Sequence, residues 1–209
     1  RERLGNPSEV ANALHNIAAT YTLLGSFREG QDHYLRALEQ RRAAADEAGA
    51  ALESFSLGRV HGQQGRYAAA LAAMDEALEV FRRLGNSGPW FVEALACRGH
   101  ALAQLGRFDE AAPVLEEALG LARGLGDNLL VAQALGFAAD RWFYAGNLAA
   151  AEPLYREALS AATASGDPYL VLTATADLAR AGLAASPEPA APVERVWWAE
   201  TADGRRFRL

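Results

Sequence analysis

Bulky and small apolar residues recur along this chain in a fixed order, with polar residues between them at helical spacing. Four glycines, Gly25, Gly65, Gly106 and Gly146, stand 40, 41 and 40 residues apart. Two residues after each comes a large apolar group (Phe27, Tyr67, Phe108, Leu148), and five residues after it a small one (Gly30, Ala70, Ala111, Ala151). Bulky residues follow at Tyr34, Met74, Leu115 and Tyr155, then the pairs Ala37-Leu38, Ala77-Leu78, Ala118-Leu119 and Ala158-Leu159. Four residues ahead of each glycine stand Tyr21, His61, Leu102 and Trp142, and seven ahead stand Ala18, Gly58, Gly99 and Ala139.

Large groups at fixed places opposite small ones are what two closely packed antiparallel helices require, since one must present Ala or Gly where the other presents bulk. Each unit therefore predicts an αα-hairpin, with the spaced glycine ending the first helix in a left-handed conformation. A single hairpin cannot cover its own apolar faces, so a period of this length predicts a stack of hairpins. The units read as residues 11–49, 50–88, 91–128 and 131–168. A fifth first-helix spans 170–185 and covers the open face of the fourth unit. Pro187, Pro189 and Pro192 then stop the regular stack, which makes 186–192 a linker. The tail, 193–209, alternates around Asp203-Gly204 like a hairpin, while a short helix over 193–202 fits as well. Trp197 and Trp198 are adjacent, so they cannot share one side of either structure; one closes the end of the stack, or the segment docks a partner. At the other end, RERLGNP at residues 1–7 is similar to RRLGNSG at 82–88 and RGLGDN at 123–128, and predicts that the chain opens at the end of a preceding unit.

Stretches such as NIAATYTLLGSFREGQDHYLRAL and GHALAQLGRFDEAAPVLEEAL resemble the tetratricopeptide repeat, and the likeness covers residues 11 to 165. The forms AEPLYREAL and ALHNIAATY are similar to the longer repeats of kinesin light chains and of helical modules in bacterial multidomain regulators. Arg98 and Ala138 depart from the pattern by replacing a large apolar residue, and Gly30 by replacing alanine. The resemblance implies an all-α, right-handed superhelix of four full repeats plus a capping helix. It also implies a concave groove lined by first helices, at positions thirteen, ten, six, three and two before the turn glycine. Carried onto this chain, that rule assigns Asn12, His15 and Thr22 in the first unit, and Phe55, Arg59 and Gln63 in the second. It assigns Glu93, His100 and Gln104 in the third, and Gln133, Asp140, Phe143 and Tyr144 in the fourth. Ala19, Leu23, Leu52, Gly62, Ala96, Ala103 and Gly136 complete the set. No groove position carries lysine, so the carboxylate-clamping form of the family is disfavoured.

Charge narrows the partners. The formal net charge is −6, from 20 basic and 26 acidic residues without long runs of one sign, so the chain offers no concentrated basic face for phosphates and no direct nucleic-acid partner is expected. One cysteine, Cys97, cannot form an internal disulfide, and no stretch of about 18 apolar residues suggests a membrane span. A cytoplasmic setting without membrane contact follows as the expectation.

Motif-borne chemistry has little foothold. Phosphate loops, GxGxxG, HExxH, GxSxG and CxxC are all missing. His15, His33, His61 and His100 are scattered without metal-ligand spacing, and His61 takes an aromatic core position. No cofactor, metal or catalytic residue is therefore expected. The groove mixes amides, two histidines, an arginine and aromatics, which suits an extended or helical peptide with apolar anchors. The leading reading is a non-catalytic protein or peptide scaffold, with a peptide-sensing module of a larger transcriptional or signalling regulator as the alternative. An enzyme would have to draw on His15, His100 and Asp140. Self-association through the N-terminal face or the aromatic tail is a further expectation.

Overall fold

The computed structural model describes residues 6–184, and the backbone of 198–200 and 206–208. Within 6–184 the chain is a run of helices: α1 (Pro7–Leu23), α2 (Phe27–Ala43), α3 (Glu47–Gln63), α4 (Tyr67–Arg83), α5 (Pro89–Gln104), α6 (Phe108–Leu125), α7 (Asn128–Tyr144), α8 (Leu148–Ser165) and α9 (Pro168–Ala184). Consecutive helices pack as hairpins, and α3, α5, α7 and α9 also pack side by side. The result is an all-α stack of paired helices.

First helices begin two to four residues ahead of the unit starts read from the sequence, and before α1, α3 and α7 the preceding residue is a side-chain cap, whereas α5 starts on Pro89 after Gly88. Asn6 accepts from the Ser8 N–H, Asp46 from Gly49, and Asp127 from Leu129 and Leu130. Each cap satisfies an amide that would otherwise lack a partner at the helix start. Both turns of each hairpin unit use left-handed backbone. Gly25, Gly65, Gly106 and Gly146 carry φ between 71° and 79°, and the residue after each donates back to the carbonyl five positions before it, as Arg66 does to His61 at 2.9 Å. The turns between units repeat the device at Gly85, Gly126 and Gly166, but the equivalent place in the first unit is held by Ala45, with φ 54°.

The size complementarity is literal. A Cβ added at Gly58 would lie 2.7 Å from Met74 Cε, and one at Gly99 would lie 2.5 Å from Leu115 Cγ. Ala18 meets Tyr34, and Ala139 meets Tyr155, in the same relation. A core continuous through Phe55, Met74, Leu78, Phe81, Leu95 and Ala134 joins the central units. Leu178 and Ala181 of α9 pack on Ala139 and Tyr155, so α9 covers the fourth hairpin.

Strands β1 (Trp198–Glu200) and β2 (Arg206–Arg208) pair antiparallel, with Ala199 opposite Phe207. Residues 1–5, the linker at 186–192 and the remainder of the tail, Trp197 included, lie outside the described residues, and with them most of the segment read as the end of a preceding unit. No helix among the described residues is long and apolar enough to cross a membrane.

Candidate functional site

Side-by-side packing of the first helices aligns equivalent positions from successive units. The position six residues before the turn glycine is occupied by Ala19, Arg59, His100 and Asp140, and the same spacing continues to Arg180 on α9. Three of these meet. Arg180 Nη2 donates to Asp140 Oδ1 at 2.7 Å, and His100 Nδ1 stands 3.5 Å from Asp140 Oδ2. Asp140 Oδ1 also accepts from the Tyr155 hydroxyl at 2.6 Å. Arg180 reaches Asp177 at 3.2 Å and the Tyr144 hydroxyl at 3.2 Å, and its guanidinium lies 4.5 Å over the Phe143 ring.

Beside this ladder lies a cavity of about 370 Å³, within the size range of small-ligand and peptide-anchor pockets. Arg59, Gln63, His100, Gln133 and Asp140 line it together with Gly62 and Gly136, so seven of the sequence-assigned groove positions converge there. Met74 and Tyr155, both almost fully buried, close it from the second-helix layer. Helix α9 supplies Tyr169, Thr173 and Asp177. Arg59 is held by Glu93 at 3.3 Å, and Gln104 Nε2 stands 3.4 Å from His100 Nε2.

Burial sets the protonation states. Desolvation, aided by the Arg180 charge, pulls His100 down to about 4, so its ring is neutral at pH 7. Desolvation pushes Asp140 up, against the pull of the Tyr155 hydroxyl and Arg180. Asp177 is also raised, by burial first and then by the neighbouring Asp140 charge. Burial pushes the Cys97 thiol, which also lines the cavity, up to about 12, away from thiolate reactivity.

A separate polar cluster sits where the first unit meets the second. Glu53 is fully buried, with Oε2 at 2.9 Å from His15 Nδ1 and Oε1 at 3.6 Å from Arg41 Nε. Arg41 also donates to Asn12 Oδ1 at 2.6 Å and to Asp46 at 2.9 Å. Asn12 and His15 thus join α1, α2 and α3 and do not reach the cavity. Thr22 donates to the Ala18 carbonyl of its own helix. Phe55 corrects the sequence expectation: it is fully buried, with the Trp90 ring 6.0 Å away and Arg59 5.8 Å over its face, so it supports the groove from beneath. Among the described residues no group of three or more His, Cys, Asp or Glu side chains is placed to hold a metal ion.

Sequence reasoning treated α9 as a cap and so missed Thr173, Asp177 and Arg180. The signal was present: adding 40 to Gln133 and Asp140 gives Thr173 and Arg180. Asp177 falls where the sister units place Ser56, Cys97 and Phe137. The first unit has Asn16 there, so only one of the five carries a charge.

Comparison with known proteins agrees with this architecture. The tetratricopeptide-repeat family profile matches residues 9–87 and 91–164, and a second profile of the same description matches 55–125. No curated protein matches the sequence. Among solved structures, a Rap protein complexed with competence and sporulation factor is similar over 80% of this chain and 47% of its own, at 18% identity and a TM-score of 0.76. The Rap conjugation gene regulator of plasmid pLS20, in complex with the Phr* peptide, matches over 80% of this chain and 46% of its own, at 15% identity and a TM-score of 0.71. A putative kinesin light chain of Podosopora anserina matches over 87% of this chain and 89% of its own, at 16% identity and a TM-score of 0.66. The chain spans about half the length of the Rap proteins it matches.

Proposed function

The chain belongs to the tetratricopeptide-repeat family, and from that premise we propose that it is a non-catalytic scaffold that binds a peptide or protein segment in the groove among α3, α5, α7 and α9. The observation that carries this reading is the pair Gly62 and Gly136. Gly136 sits mid-helix in α7 and Gly62 in the last turn of α3; both line the cavity and would meet nothing within 4 Å if given a Cβ. Glycine inside a helix costs about 0.5–1 kcal/mol relative to alanine. No packing constraint explains that cost here, whereas an open cavity against exposed backbone suits a ligand that approaches closely. The lining supports the same reading, with Phe137, Tyr67 and Tyr169 as apolar surface and Gln63 and Gln133 as hydrogen-bonding groups.

Against catalysis, Asp140 has its Oδ1 committed to Tyr155 and Arg180, and burial holds the His100 ring well below the range of a base poised for neutral pH. A second reading, a peptide-sensing module within a larger regulator, is favoured by the likeness to two peptide- or factor-bound Rap structures, one a conjugation gene regulator. In that reading the ligand would bias the arrangement of units that α9 and Arg180 tie together.

The test is capture from a cell extract with wild type and with Gly136→Phe, which fills the cavity from a position where a side chain has room. Loss of a retained protein or peptide in a Gly136→Phe variant that melts like wild type supports groove recognition. Equal retention moves binding to another face.

A further inference from the structure

Resting on the groove reading, we propose that the cavity selects a peptide carrying a cationic side chain, lysine or arginine, seated against Asp177 and Asp140. The charge inventory is the first argument. Arg59 is matched by Glu93, but Arg180 alone serves both Asp140 and Asp177. Three carboxylates thus share two guanidiniums. Burial keeps His100 neutral, so it does not restore the balance. A buried or half-buried carboxylate without a full countercharge is costly, and a ligand cation removes that cost on binding.

The second argument is hydrogen-bond polarity. Gln133 lines the cavity with its Oε1 buried and without a partner. The carboxylates of Asp140 and Asp177 line the same space, and they too can only accept. An ammonium or guanidinium group brings donors alone, so it matches acceptors that a carboxylate or phosphate would oppose. Both cations nearby are turned to other work: Arg59, which lines the cavity, is paired with Glu93 at 3.3 Å, and Arg180, which is not among the lining residues, is occupied by Asp140, Asp177, Tyr144 and Tyr155.

The third argument is the aromatic lining. Tyr67 and Phe137 flank His100, with ring centroids 6.1 Å and 4.3 Å from it, and Tyr169 stands 74% exposed on the α9 side of the same cavity. Aromatic faces beside carboxylates stabilise a cation and its aliphatic stem together. In the sister units the place of Asp177 holds Asn16, Ser56, Cys97 and Phe137, so the charge is special to the helix that closes the cavity.

The experiment pans a displayed random heptapeptide library on wild type and on Gly136→Phe, then measures synthetic winners, amino-terminally acetylated, by fluorescence anisotropy. Winners that depend on the open cavity should be enriched in lysine or arginine. Their affinity should fall about tenfold in Asp177→Asn, the scale of one hydrogen-bonded charge contact. Exchanging the peptide's lysine for norleucine should cost at least as much in wild type and clearly less in Asp177→Asn, where only Asp140 remains, and this peptide-side exchange reads the contact even if Asp177→Asn folds poorly. Cavity-dependent winners without basic enrichment, indifferent to the norleucine exchange, would overturn the cation selectivity and leave the groove reading standing. Winners that bind Gly136→Phe as well as wild type would sink both. Retained affinity on acetylation assigns the cation to a side chain, and its loss to the peptide's own amino terminus would overturn the assignment to lysine or arginine.

Discussion

The same substitution, glycine to alanine, should change sign along this stack according to what the new methyl group meets. At Gly136 and Gly62 a Cβ encounters nothing within 4 Å, and neither residue has a left-handed backbone. Alanine there gains helix propensity without strain, which amounts to about 0.5–1 kcal/mol at each site. At Gly58 and Gly99 the methyl group would sit 2.7 Å from Met74 Cε and 2.5 Å from Leu115 Cγ. Met74 can bend its terminal methyl aside, while Leu115 is branched and 2% exposed in a closed core. Overpacking of this kind costs about 1–3 kcal/mol, and Gly99→Ala should lie at the upper end.

Thermal unfolding followed by circular dichroism separates the outcomes. For a chain of this size 1 kcal/mol corresponds to about 2–4 °C in Tm. Gly62→Ala and Gly136→Ala should therefore each raise Tm by about 1–4 °C, while Gly58→Ala and Gly99→Ala lower it by several degrees, with Gly99→Ala the lower of the two. Substitutions at 62 and 136 lie on different helices and should add in the double variant. A fall in Tm for Gly136→Ala would refute the reasoning directly, because it would mean that the site has no room for a methyl group and that the glycine is explained by packing.

Other perturbations probe other parts of the structure. Ala45 holds a left-handed φ of 54° at the place where later units use glycine, so Ala45→Gly should stabilise by about 1 kcal/mol, read as a higher denaturant midpoint; an unchanged or lower midpoint would contradict it. His100 binds its proton near pH 6.5 when unfolded and near pH 4 when folded, so the unfolded chain holds more protons between those values and stability falls as pH drops through that window. Replacing His100 with Gln should flatten the stability profile between pH 6.5 and 4, and an unaltered slope would remove His100 as its source. Glu53→Ala leaves Arg41, which is 9% exposed, without its buried carboxylate and should cost about 3 kcal/mol in urea unfolding. A cost below about 1 kcal/mol would mean that Asn12 and Asp46 suffice for Arg41.

The hairpins were legible because their signal is steric and repeats in every unit: Gly58 against Met74 and Gly99 against Leu115 are visible as size alternation in the sequence alone. The site was only partly legible, because exposure depends on the layer beneath a position as well as on its register. Phe55 satisfies the groove register, yet it is buried in the central core with Met74, Phe81 and Leu95, and Arg59 and Trp90 lie over it. Asn12 and His15 satisfy it too, but Arg41 of the first unit and Glu53 of the second draw them into a polar lock between neighbouring hairpins. In the fourth unit the same register leaves Asp140 facing both a cavity and a cation, because α9 presents Arg180 one repeat further on. Helix α9 buries one face on the preceding hairpin through Leu178 and Ala181. Its groove register nevertheless remains in step with the helices before it. That continuity brings Thr173, Asp177 and Arg180 to the cavity, so α9 completes it instead of merely bounding it.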